Sequence, residues 1–482
     1  MKKAKFAALA ITLLTVAVAL AQRPDTIPDT VWTKQFGGNQ DDQGRAVARE
    51  GEELFFAGYT ESFGSGMSDM LIVMLDADGD TLWTRAVGGT QNDGAYAAVF
   101  TPEGPAFAGY TESEGAGGKD FYVVTMNPEG ETTRTRAFGG PEDDVAYAAS
   151  QLMGEMIFAG YTESYGSGQK DMWFVRTNPE GDSLWSRAYG GSDDDIAYGV
   201  VGTHTGEIVA VGKSGGNLNL IKLDMEGNRM WDKTFGGSND DIGYDIIQTM
   251  DESFFVVGMT KSFCSGISDA WVLKYNMEGE TLWARSVGDE DAEEGYSISE
   301  TQDGGLIIAG MSIAATDGDT GAFIAKLDAQ GTVMWKAVYG EDDMAEIAYG
   351  IIQGDDENFT FGGVKSGADD DAWLVRIRPF IEGIAAPEPL RVSLADRVVP
   401  NPFTSRASIS YQLPYAGRVK LAIYDMLGQE VASLASGLCE AGSHRAVWNG
   451  TDVLGNLVAS GLYFIRLEVG DQTHTTKVLL ER

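Results

Sequence analysis

Short runs of apolar or alternating residues, separated by turn-forming residues, recur along most of this chain. In one period the runs are Ala95–Phe100, Pro105–Thr111, Asp120–Met126 and Thr132–Phe138, and Pro-Glu-Gly or Gly-rich segments lie between them. Runs of this length, rich in β-branched and aromatic residues and bounded by Gly, Pro, Asn and Asp, predict β-strands. Each period therefore predicts four short strands.

The period is close to fifty residues. Its marker is a Trp that stands five residues before a Gly, and Arg134 takes that place in one copy. Fixed repeats of this length with several short strands indicate the blades of a β-propeller, not a helical solenoid, whose runs would follow a 3.6-residue pattern. The markers are separated by 46 to 52 residues and define seven copies: Trp32, Trp83, Arg134, Trp185, Trp231, Trp283 and Trp335.

The phase of the repeat predicts how the array closes. It begins on a lone marker-type strand, Val31–Phe36, and ends on three strands, Ile347–Gln353, Phe359–Val364 and Asp371–Arg378. The first strand would therefore complete the last blade, which removes the open sheet edges that favour aggregation. We predict an all-β fold with a seven-bladed propeller over residues 31–378, whose last blade is closed by the N-terminal strand.

A different pattern follows the array. Residues 379–397 lose the period and are rich in Pro and Ala, which is typical of a linker. Residues 398–482 alternate in short runs that predict an immunoglobulin-like β-sandwich. Its predicted strands are Ala407–Leu413, Val419–Tyr424, His444–Trp448, Gly461–Leu467 and Thr473–Leu479.

The N-terminus has the form of a secretory signal peptide at residues 1–21. Lys2, Lys3 and Lys5 form a positive start, an apolar stretch follows, and Ala-Leu-Ala at 19–21 provides a small-residue cleavage site. No later run reaches the ~18 apolar residues of a membrane-spanning helix. We therefore expect a protein that reaches the periplasm and is then secreted or held at the outer-membrane surface.

Composition excludes some partners. The chain carries 72 acidic residues against 35 Lys plus Arg, a formal net charge of −37. Nucleic acids and anionic membrane surfaces both require clustered cations, so neither is expected as a partner. Cys264 and Cys439 are far apart in the sequence and are predicted to be unpaired, and a monomer is expected.

Strand order also sorts the loops onto two faces. The Gly-Gly connections between blades and the Thr-Glu-Ser loops fall on one face, which is therefore acidic and rich in Gly. Copy four shortens its loop to Lys213-Ser-Gly-Gly216, and copy six rewrites its loop over Ser312–Thr320.

Both regions resemble known families. The recurring pattern GG…DxGY…GYTxSxGxGxxDxW…LW over about residues 31–378 resembles the bacterial β-propeller repeats of the SBBP-like class found on exported proteins. In the C-terminal region, PNPF, YDMLGQEV from Tyr424, Trp448-Asn-Gly and ASGLYF from Ala459 resemble the type A sorting domain of the type IX secretion system, which is similar to the immunoglobulin-like domain of the flagellar hook-capping protein. The resemblance implies export through the type IX machinery, with the cargo released or attached to the surface.

One set of acids occupies the same position before each predicted inner strand. These acids are expected to converge on the mouth of the central channel, where they would suit Ca²⁺, which binds six to eight oxygen ligands. The alternative is that they accept backbone N–H bonds within turns, as Asp commonly does. They are Asp42, Asp93, Asp144, Asp195 and Asp241, with Glu293 and Glu346 as the equivalents in copies six and seven.

A second set pairs an aromatic ring with a carboxylate in the loops of copies one to three. An exposed ring beside an acid could stack on a sugar and accept its hydroxyl protons; the alternative is that the rings pack between blades and the acids cap turns. The pairs are Tyr59 with Glu61, Tyr110 with Glu112 and Tyr161 with Glu163, and Asp69, Asp120 and Asp171 close the same loops.

Catalytic patterns are weak. The chain has three His, and neither a Ser/His/Asp set nor an HExxH motif is visible. We therefore predict a non-enzymatic binding protein without a cofactor, Ca²⁺ aside, that uses the acidic face to bind a polysaccharide or a surface protein. The alternative is a secreted carbohydrate-active enzyme that uses carboxylates on the same face, since a glycosidase needs two at ~5–10 Å.

Overall fold

The computed structural model describes residues 28–379 apart from 102, 315–317 and 342–343, and residues 393–394 and 401–481 apart from 414–416, 427, 440–441, 454–455 and 470–471. Regular structure in these residues is all β-strand, which confirms the predicted fold class. No helix in this part of the chain could cross a membrane. The predicted signal peptide and most of the predicted linker lie outside the described residues.

Seven four-stranded antiparallel sheets, the blades, occupy the described residues from Thr30 to Ile377. The first strand is β1 (Thr30–Phe36). Blade 1 is β2 (Asp42–Glu50), β3 (Glu53–Thr60), β4 (Asp69–Leu75) and β5 (Thr81–Val87); blade 2 is β6 (Asp93–Thr101), β7 (Gly104–Thr111), β8 (Asp120–Met126) and β9 (Thr132–Phe138); blade 3 is β10 (Asp144–Leu152), β11 (Glu155–Thr162), β12 (Asp171–Thr177) and β13 (Ser183–Tyr189).

The remaining blades follow the same order from inner to outer strand. Blade 4 is β14 (Asp195–Gly202), β15 (Ile208–Ser214), β16 (Asn217–Leu223) and β17 (Arg229–Phe235); blade 5 is β18 (Asp241–Gln248), β19 (Phe254–Thr260), β20 (Asp269–Tyr275) and β21 (Thr281–Val287); blade 6 is β22 (Ala292–Glu300), β23 (Leu306–Ile313), β24 (Thr320–Leu327) and β25 (Val333–Tyr339); blade 7 is β26 (Glu346–Gln353), β27 (Phe359–Lys365) and β28 (Asp371–Ile377), followed in the sheet by β1.

The blades form a closed ring. Each inner strand contacts the inner strand of the next blade, and β26 contacts β2, so the last blade meets the first. β1 pairs antiparallel with β28, from Thr30 opposite Ile377 to Phe36 opposite Ala372. The Trp373 indole N–H donates to the Thr33 hydroxyl at 2.9 Å. The N-terminal strand therefore supplies the outer strand of blade 7.

The repeating Trp packs one blade against the next. The indole of Trp32 lies within 3 Å of the point where a side chain on Gly79 would begin, and Trp83 lies in the same way against Gly130. Both glycines have positive φ, +80° and +74°, a conformation that L side chains rarely adopt. The Trp marker and the turn glycine of the following blade are therefore one contact, which explains why they recur with the same period.

The C-terminal region is a two-sheet β-sandwich. Its sheets have the orders β29-β30-β33 and β32-β31-β34-β35, and Trp448 lies in the core between them, 1% exposed. Two strands were not predicted: a short one inside the predicted linker and one whose Ala, Ser and Gly content weakens the strand pattern. The strands are β29 (Ser393–Leu394), β30 (Ala407–Leu413), β31 (Gly417–Tyr424), β32 (Glu430–Cys439), β33 (Gly442–Trp448), β34 (Gly461–Val469) and β35 (Gln472–Leu480).

Candidate functional site

One face of the ring carries both sets of Gly-rich loops. We define the acidic face as the connections that precede the inner strands together with the loops between the second and third strands; in blade 1 these are residues 37–41 and 61–68. The Glu61 N–H donates to the Asp41 carbonyl at 2.9 Å within the blade, and the Asp93 N–H donates to the Ser68 carbonyl at 2.8 Å across to blade 2. Backbone hydrogen bonds therefore hold the two loop sets on the same side, as strand order predicted.

The acids at the start of the inner strands, here called the ring acids, are buried within this face. In blade 2 the Asp93 carboxylate accepts the Gly89 N–H and the Ser113 hydroxyl, both at 2.7 Å. The expectation that these acids converge on the channel mouth is wrong, because their side chains point into the junctions between sheets and are at most 4% exposed. The turn-capping alternative describes their geometry: Asp42, Asp93, Asp144, Asp195, Asp241, Glu293 and Glu346 each accept an N–H from the preceding connection.

Acids from two neighbouring blades meet at each of several junctions. Asp69, which closes a loop of blade 1 by accepting the Ser65 N–H at 2.7 Å, lies beside the Asp93 carboxylate of blade 2. Their oxygens are 2.3 and 2.5 Å from the point where a side chain on Gly88 would begin, so only Gly leaves room for the pair. Burial, with the nearby Asp93 charge, raises the pKa of Asp69. Equivalent pairs, Asp120 with Asp144 and Asp171 with Asp195, flank Gly139 and Gly190.

Two ring acids should make stability depend on pH. Burial raises the pKa of Glu293 and of Glu346 to about 7, above the ordinary Glu value of about 4.3 in an unfolded chain. The folded protein therefore retains protons that the unfolded chain releases, and stability from these groups is lost as pH rises from about 4.5 to 7. We expect the Glu293→Gln, Glu346→Gln double variant to gain melting temperature relative to the parent at pH 8 but not at pH 4.5. A difference independent of pH would contradict these shifts.

The predicted ring-and-carboxylate pairs lie on this face, but two of the three aromatic rings are covered. Tyr110 and Tyr161 are 8% and 5% exposed, and Lys119 and Lys170 lie over their rings at 4.3 and 4.0 Å. Tyr59 is half-buried, and burial raises its pKa to about 12. The expectation of exposed rings is therefore wrong for Tyr110 and Tyr161, because they pack between the inner strands.

The carboxylates of these pairs are more accessible than the rings. Glu61 and Glu163 are exposed, and Glu112 is half-buried, where it accepts the Asn92 amide N–H at 2.8 Å. Lys170 lies 3.5 Å from Glu163. Whether they bind a ligand stays a prediction, and the acids, not the rings, are the groups that the face presents.

A ring of aromatic side chains around the axis was missed by the sequence analysis. Each inner strand has a β-bulge at the third residue after its ring acid, and bulges re-aim a side chain. Consecutive tyrosine rings at these bulges have centroids 5.0 to 5.4 Å apart. Arg45 closes the circle, because its guanidinium carbon lies 4.1 Å from the Tyr349 ring centroid and 5.8 Å from that of Tyr96. The members are Arg45, Tyr96, Tyr147, Tyr198, Tyr244, Tyr296 and Tyr349.

Six members of this circle are phenols, and Arg45 is its one cation. Burial raises the pKa of Tyr198 to about 12 and that of Tyr147 still further, so both phenols stay protonated at physiological pH. Glu294 accepts hydrogen bonds from Tyr244 at 3.3 Å and Tyr296 at 3.0 Å. The signal that could have found the circle is the recurrence of Tyr three residues after the ring acid in six of the seven copies.

Blades 4 and 6 depart from the regular face. In blade 6 the second Gly of the connection is replaced by Asp289, and the carboxylate oxygens of Asp289, Asp291 and Glu293 lie within 4.8 Å of one another. Lys336 lies 2.6 Å from Asp289 and offsets part of that charge. In blade 4 the short loop adjoins a pocket of about 200 Å³. The loops of these two blades therefore differ from those of blades 1, 2, 3 and 5.

Comparison with curated proteins gives a local match. Over 101 residues the chain is 30% identical to the regulatory protein FlaEY of Caulobacter vibrioides. The aligned region covers 18% of this chain and 11% of that protein. The chain thus spans about a tenth of the length of the curated relative it matches, and the match assigns no activity.

Solved structures show distant likenesses. PorZ of Porphyromonas gingivalis, described as an essential surface component of the type IX secretion system, is 13% identical with a TM-score of 0.35, over 90% of this chain and 69% of that one. Sqt1 of Chaetomium thermophilum is 11% identical with a TM-score of 0.44, over 95% and 99% of the two chains. With TM-scores below 0.5, neither likeness assigns a function.

The C-terminal sandwich has a match to a family model. Residues 401–472 match the FlgD Ig-like domain, and β30 to β34 fall within that range. This agrees with the resemblance to the hook-capping protein that the sequence motifs indicated. The C-terminal region of this chain is therefore similar to the FlgD Ig-like domain.

Proposed function

We propose that this chain is a non-enzymatic binding protein, secreted or held at the cell surface, that uses the acidic face of its propeller to bind a polysaccharide or a surface protein. The observation that carries the proposal is that loop residues vary over a constant framework. The connections of all seven blades donate an N–H to a ring acid, whereas the loops beside them have eight residues in blades 1, 2, 3 and 5 and are shorter and different in sequence in blades 4, 6 and 7. Binding residues are commonly found on loops held by a rigid scaffold.

The arrangement of the carboxylates also favours binding over turnover. Apart from Asp195, which lines the pocket of blade 4, the ring acids are buried and hydrogen-bonded in turns, so they are poorly placed to reach a substrate. Glu61, Glu112 and Glu163 sit one per blade in separate loops, where they can accept hydroxyl donors along an extended ligand. The competing function, a carbohydrate-active enzyme on the same face, would need two of the acids to act on one bond.

Amide substitution tests the binding function. We expect the triple variant Glu61→Gln, Glu112→Gln, Glu163→Gln of the full chain to weaken binding of a polysaccharide found on a glycan array by about tenfold, because each lost charge-assisted hydrogen bond contributes modestly. The matched control changes Glu103, Glu129 and Glu180 to Gln, since these lie in turns of the opposite face. A glycan array without hits would contradict polysaccharide binding. Hydrolysis of a glycan by the parent that the triple variant abolishes would favour the carbohydrate-active enzyme.

Export is proposed to depend on the C-terminal sandwich. The motifs of residues 398–482 and the match to the FlgD Ig-like domain support its role as a type IX sorting domain that directs the protein from the periplasm across the outer membrane. In a bacterium with a working type IX system, we expect deletion of residues 398–482 to leave the propeller in the periplasm. Surface delivery of the truncated chain at the level of the parent would show that the sandwich has another role.

Calcium at the ring acids stays a prediction. One oxygen of Asp42, of Asp93 and of Asp144 is buried without a hydrogen-bond partner among the described residues, which leaves each able to coordinate a cation. A melting temperature that does not change at millimolar Ca²⁺ would contradict the prediction of a calcium site at these acids.

A further inference from the structure

The pocket beside blade 4 is where the repeat is broken twice. Blade 3 contributes Tyr189 and blade 4 contributes most of the rest, and the volume is about 200 Å³. This is smaller than the ~300–1,000 Å³ of pockets for drug-sized ligands, so it suits a ligand of one ring. Its polar lining consists of Tyr189, Asp195, Ser214, Asn219, Arg229 and Asp232.

The first break is a missing loop. In blade 1 eight residues join Thr60 to Asp69, whereas in blade 4 only Gly215 and Gly216 join β15 to β16. The eight-residue loops of blades 1, 2, 3 and 5 carry a serine whose hydroxyl donates to the ring acid, as Ser62 does to Asp42 at 2.7 Å. Blade 4 has no residue at that position. Its ring acid, Asp195, keeps the Gly191 N–H at 2.7 Å, has no serine partner and lines the pocket.

The second break is a missing aromatic ring. The residue of the third strand that pairs with the central Gly of the second strand is aromatic in five blades and Leu in blade 1. In blade 4 it is Asn219, opposite Gly212. Asn219 is 5% exposed and donates to the Asp232 carboxylate at 2.7 Å. The equivalents whose rings fill this place are Tyr122, Trp173, Trp271, Phe323 and Trp373.

The charges around the pocket call for a ligand rich in donors. Arg229 and Asp232 pair at 3.2 Å and offset each other. Asp195 remains in the lining, and Asp171 of blade 3 lies behind it, outside the lining: the Asp171 and Asp195 oxygens are 2.1 and 2.8 Å from the point where a side chain on Gly190 would begin. The Asp171 oxygen on that side is buried without a hydrogen-bond partner among the described residues. Asp195 faces the pocket with a second carboxylate directly behind it, and this negative charge favours a ligand that brings hydroxyl or ammonium groups.

We propose that this pocket binds a single sugar ring, and that an amino sugar with a free ammonium binds better than its N-acetyl or hydroxyl counterpart. The half-buried Tyr189 ring offers an apolar side, and the Asp195 carboxylate accepts the ammonium and hydroxyl protons. The proposal deepens the proposed function and rests on it: the pocket would select a terminal or branch residue of the bound polysaccharide.

Filling the pocket tests the proposal. Asn219→Trp places in blade 4 the side chain that blades 3, 5 and 7 have at this position. In blade 7 the Trp373 indole N–H donates to Thr33, and Asp232 occupies in blade 4 the position that Thr33 occupies in blade 7. The new indole N–H can therefore reach Asp232. We therefore expect the variant to fold with an unchanged melting temperature. By calorimetry with the full chain, glucosamine should bind the parent at least tenfold more tightly than glucose or N-acetylglucosamine, and Asn219→Trp should lose that binding. Phe323→Trp, the same position in blade 6, is the matched control and should bind as the parent does.

A second variant separates charge from shape. Asp195→Asn keeps the acceptor for Gly191 and should remove the preference for glucosamine over glucose. Equal affinity of the parent and Asn219→Trp for glucosamine, or no binding of any of the three sugars to the parent, would overturn the pocket as a sugar site. If the glycan array still gives hits in that case, the proposed function stands without this pocket; an array without hits would overturn both.

Discussion

A chain without residues 28–37 is expected to lose the cooperative thermal transition of the ring. The deletion removes β1, so β28 becomes an open edge strand from Asp371 to Ile377. It also removes Phe36, which is 6% exposed and packs with Phe56 and Leu374 in one core cluster. Phe→Ala in a core costs about 3–5 kcal/mol by itself, and the lost ladder and indole bond add to that. Against a typical total stability of about 5–15 kcal/mol, this change is large.

The effect should spread beyond blade 7. The Asp42 N–H donates to the Asp370 carbonyl at 2.7 Å, and the Gln43 amide donates to the Asp370 carboxylate at 2.8 Å, so blades 1 and 7 share a junction just after β1. The Tyr339 hydroxyl of blade 6 donates to the Pro28 carbonyl at 3.1 Å and is buried there. The segment therefore contacts three blades, and its loss opens the ring and leaves an edge that favours aggregation.

Moving the strand provides the control. A variant that lacks 28–37 at the start but carries the same ten residues after residue 378, joined by an Asp-Ala-Asp-Gly-Asp turn like that of blade 1, restores a hairpin within blade 7. We expect its calorimetric transition to return close to that of the parent. A simple deletion that melts as the parent does would show that β1 does not hold the ring closed.

The closure was predictable because the sequence records it directly. The array begins with a lone strand of the outer type and ends with a copy that lacks its outer strand, so the first strand can complete the last blade. The pairing of β1 with β28 confirms this. The strand bounds were also close: the predicted Asp120–Met126 and Thr132–Phe138 are observed unchanged. Periodicity carries this information because each strand repeats its pattern of burial in every blade.

What the sequence did not show depends on where side chains point. A β-bulge adds one residue to a strand, and no propensity marks it, so the six tyrosines and Arg45 at the seven bulges were not singled out from the sequence. The same limit explains the ring acids: they lie three residues before the bulge and point to the junction, whereas Arg45 and the tyrosines point to the axis. Asn219 was missed for another reason: that it replaces an aromatic residue can be recognised only when the strand register aligns it with the equivalent positions of the other blades.

The second large effect that we predict is a loss of stability when the second-strand glycine beside the bulge is replaced. In each of the seven blades the second strand has a Gly over the inner strand, and a side chain on Gly109 would begin 1.9 Å from the Gly94 carbonyl oxygen and 2.9 Å from the Ala95 Cα. Both are backbone atoms of a paired strand, so they cannot move without breaking the ladder. We expect Gly109→Ala to lower the free energy of unfolding by about 3 kcal/mol or more, at or above the upper end for overpacking. Equivalent glycines are Gly58, Gly160, Gly212, Gly258, Gly310 and Gly363.

Denaturant unfolding of the full chain, followed by tryptophan fluorescence, would measure this loss. Gly367→Ala is the matched control, because Gly367 lies in a loop of blade 7 where the nearest atom to a new side chain is 3.4 Å away and φ is not positive. It should unfold within about 0.5 kcal/mol of the parent, as surface substitutions usually do. Since Gly109 is buried between the inner and third strands, loss of its backbone approach should also displace Tyr96 from the circle and change the tyrosine contacts on both sides. Equal stability of Gly109→Ala and Gly367→Ala would mean that the inner strand yields at the bulge, and the recurrence of Gly at this position would then need a cause other than backbone contact.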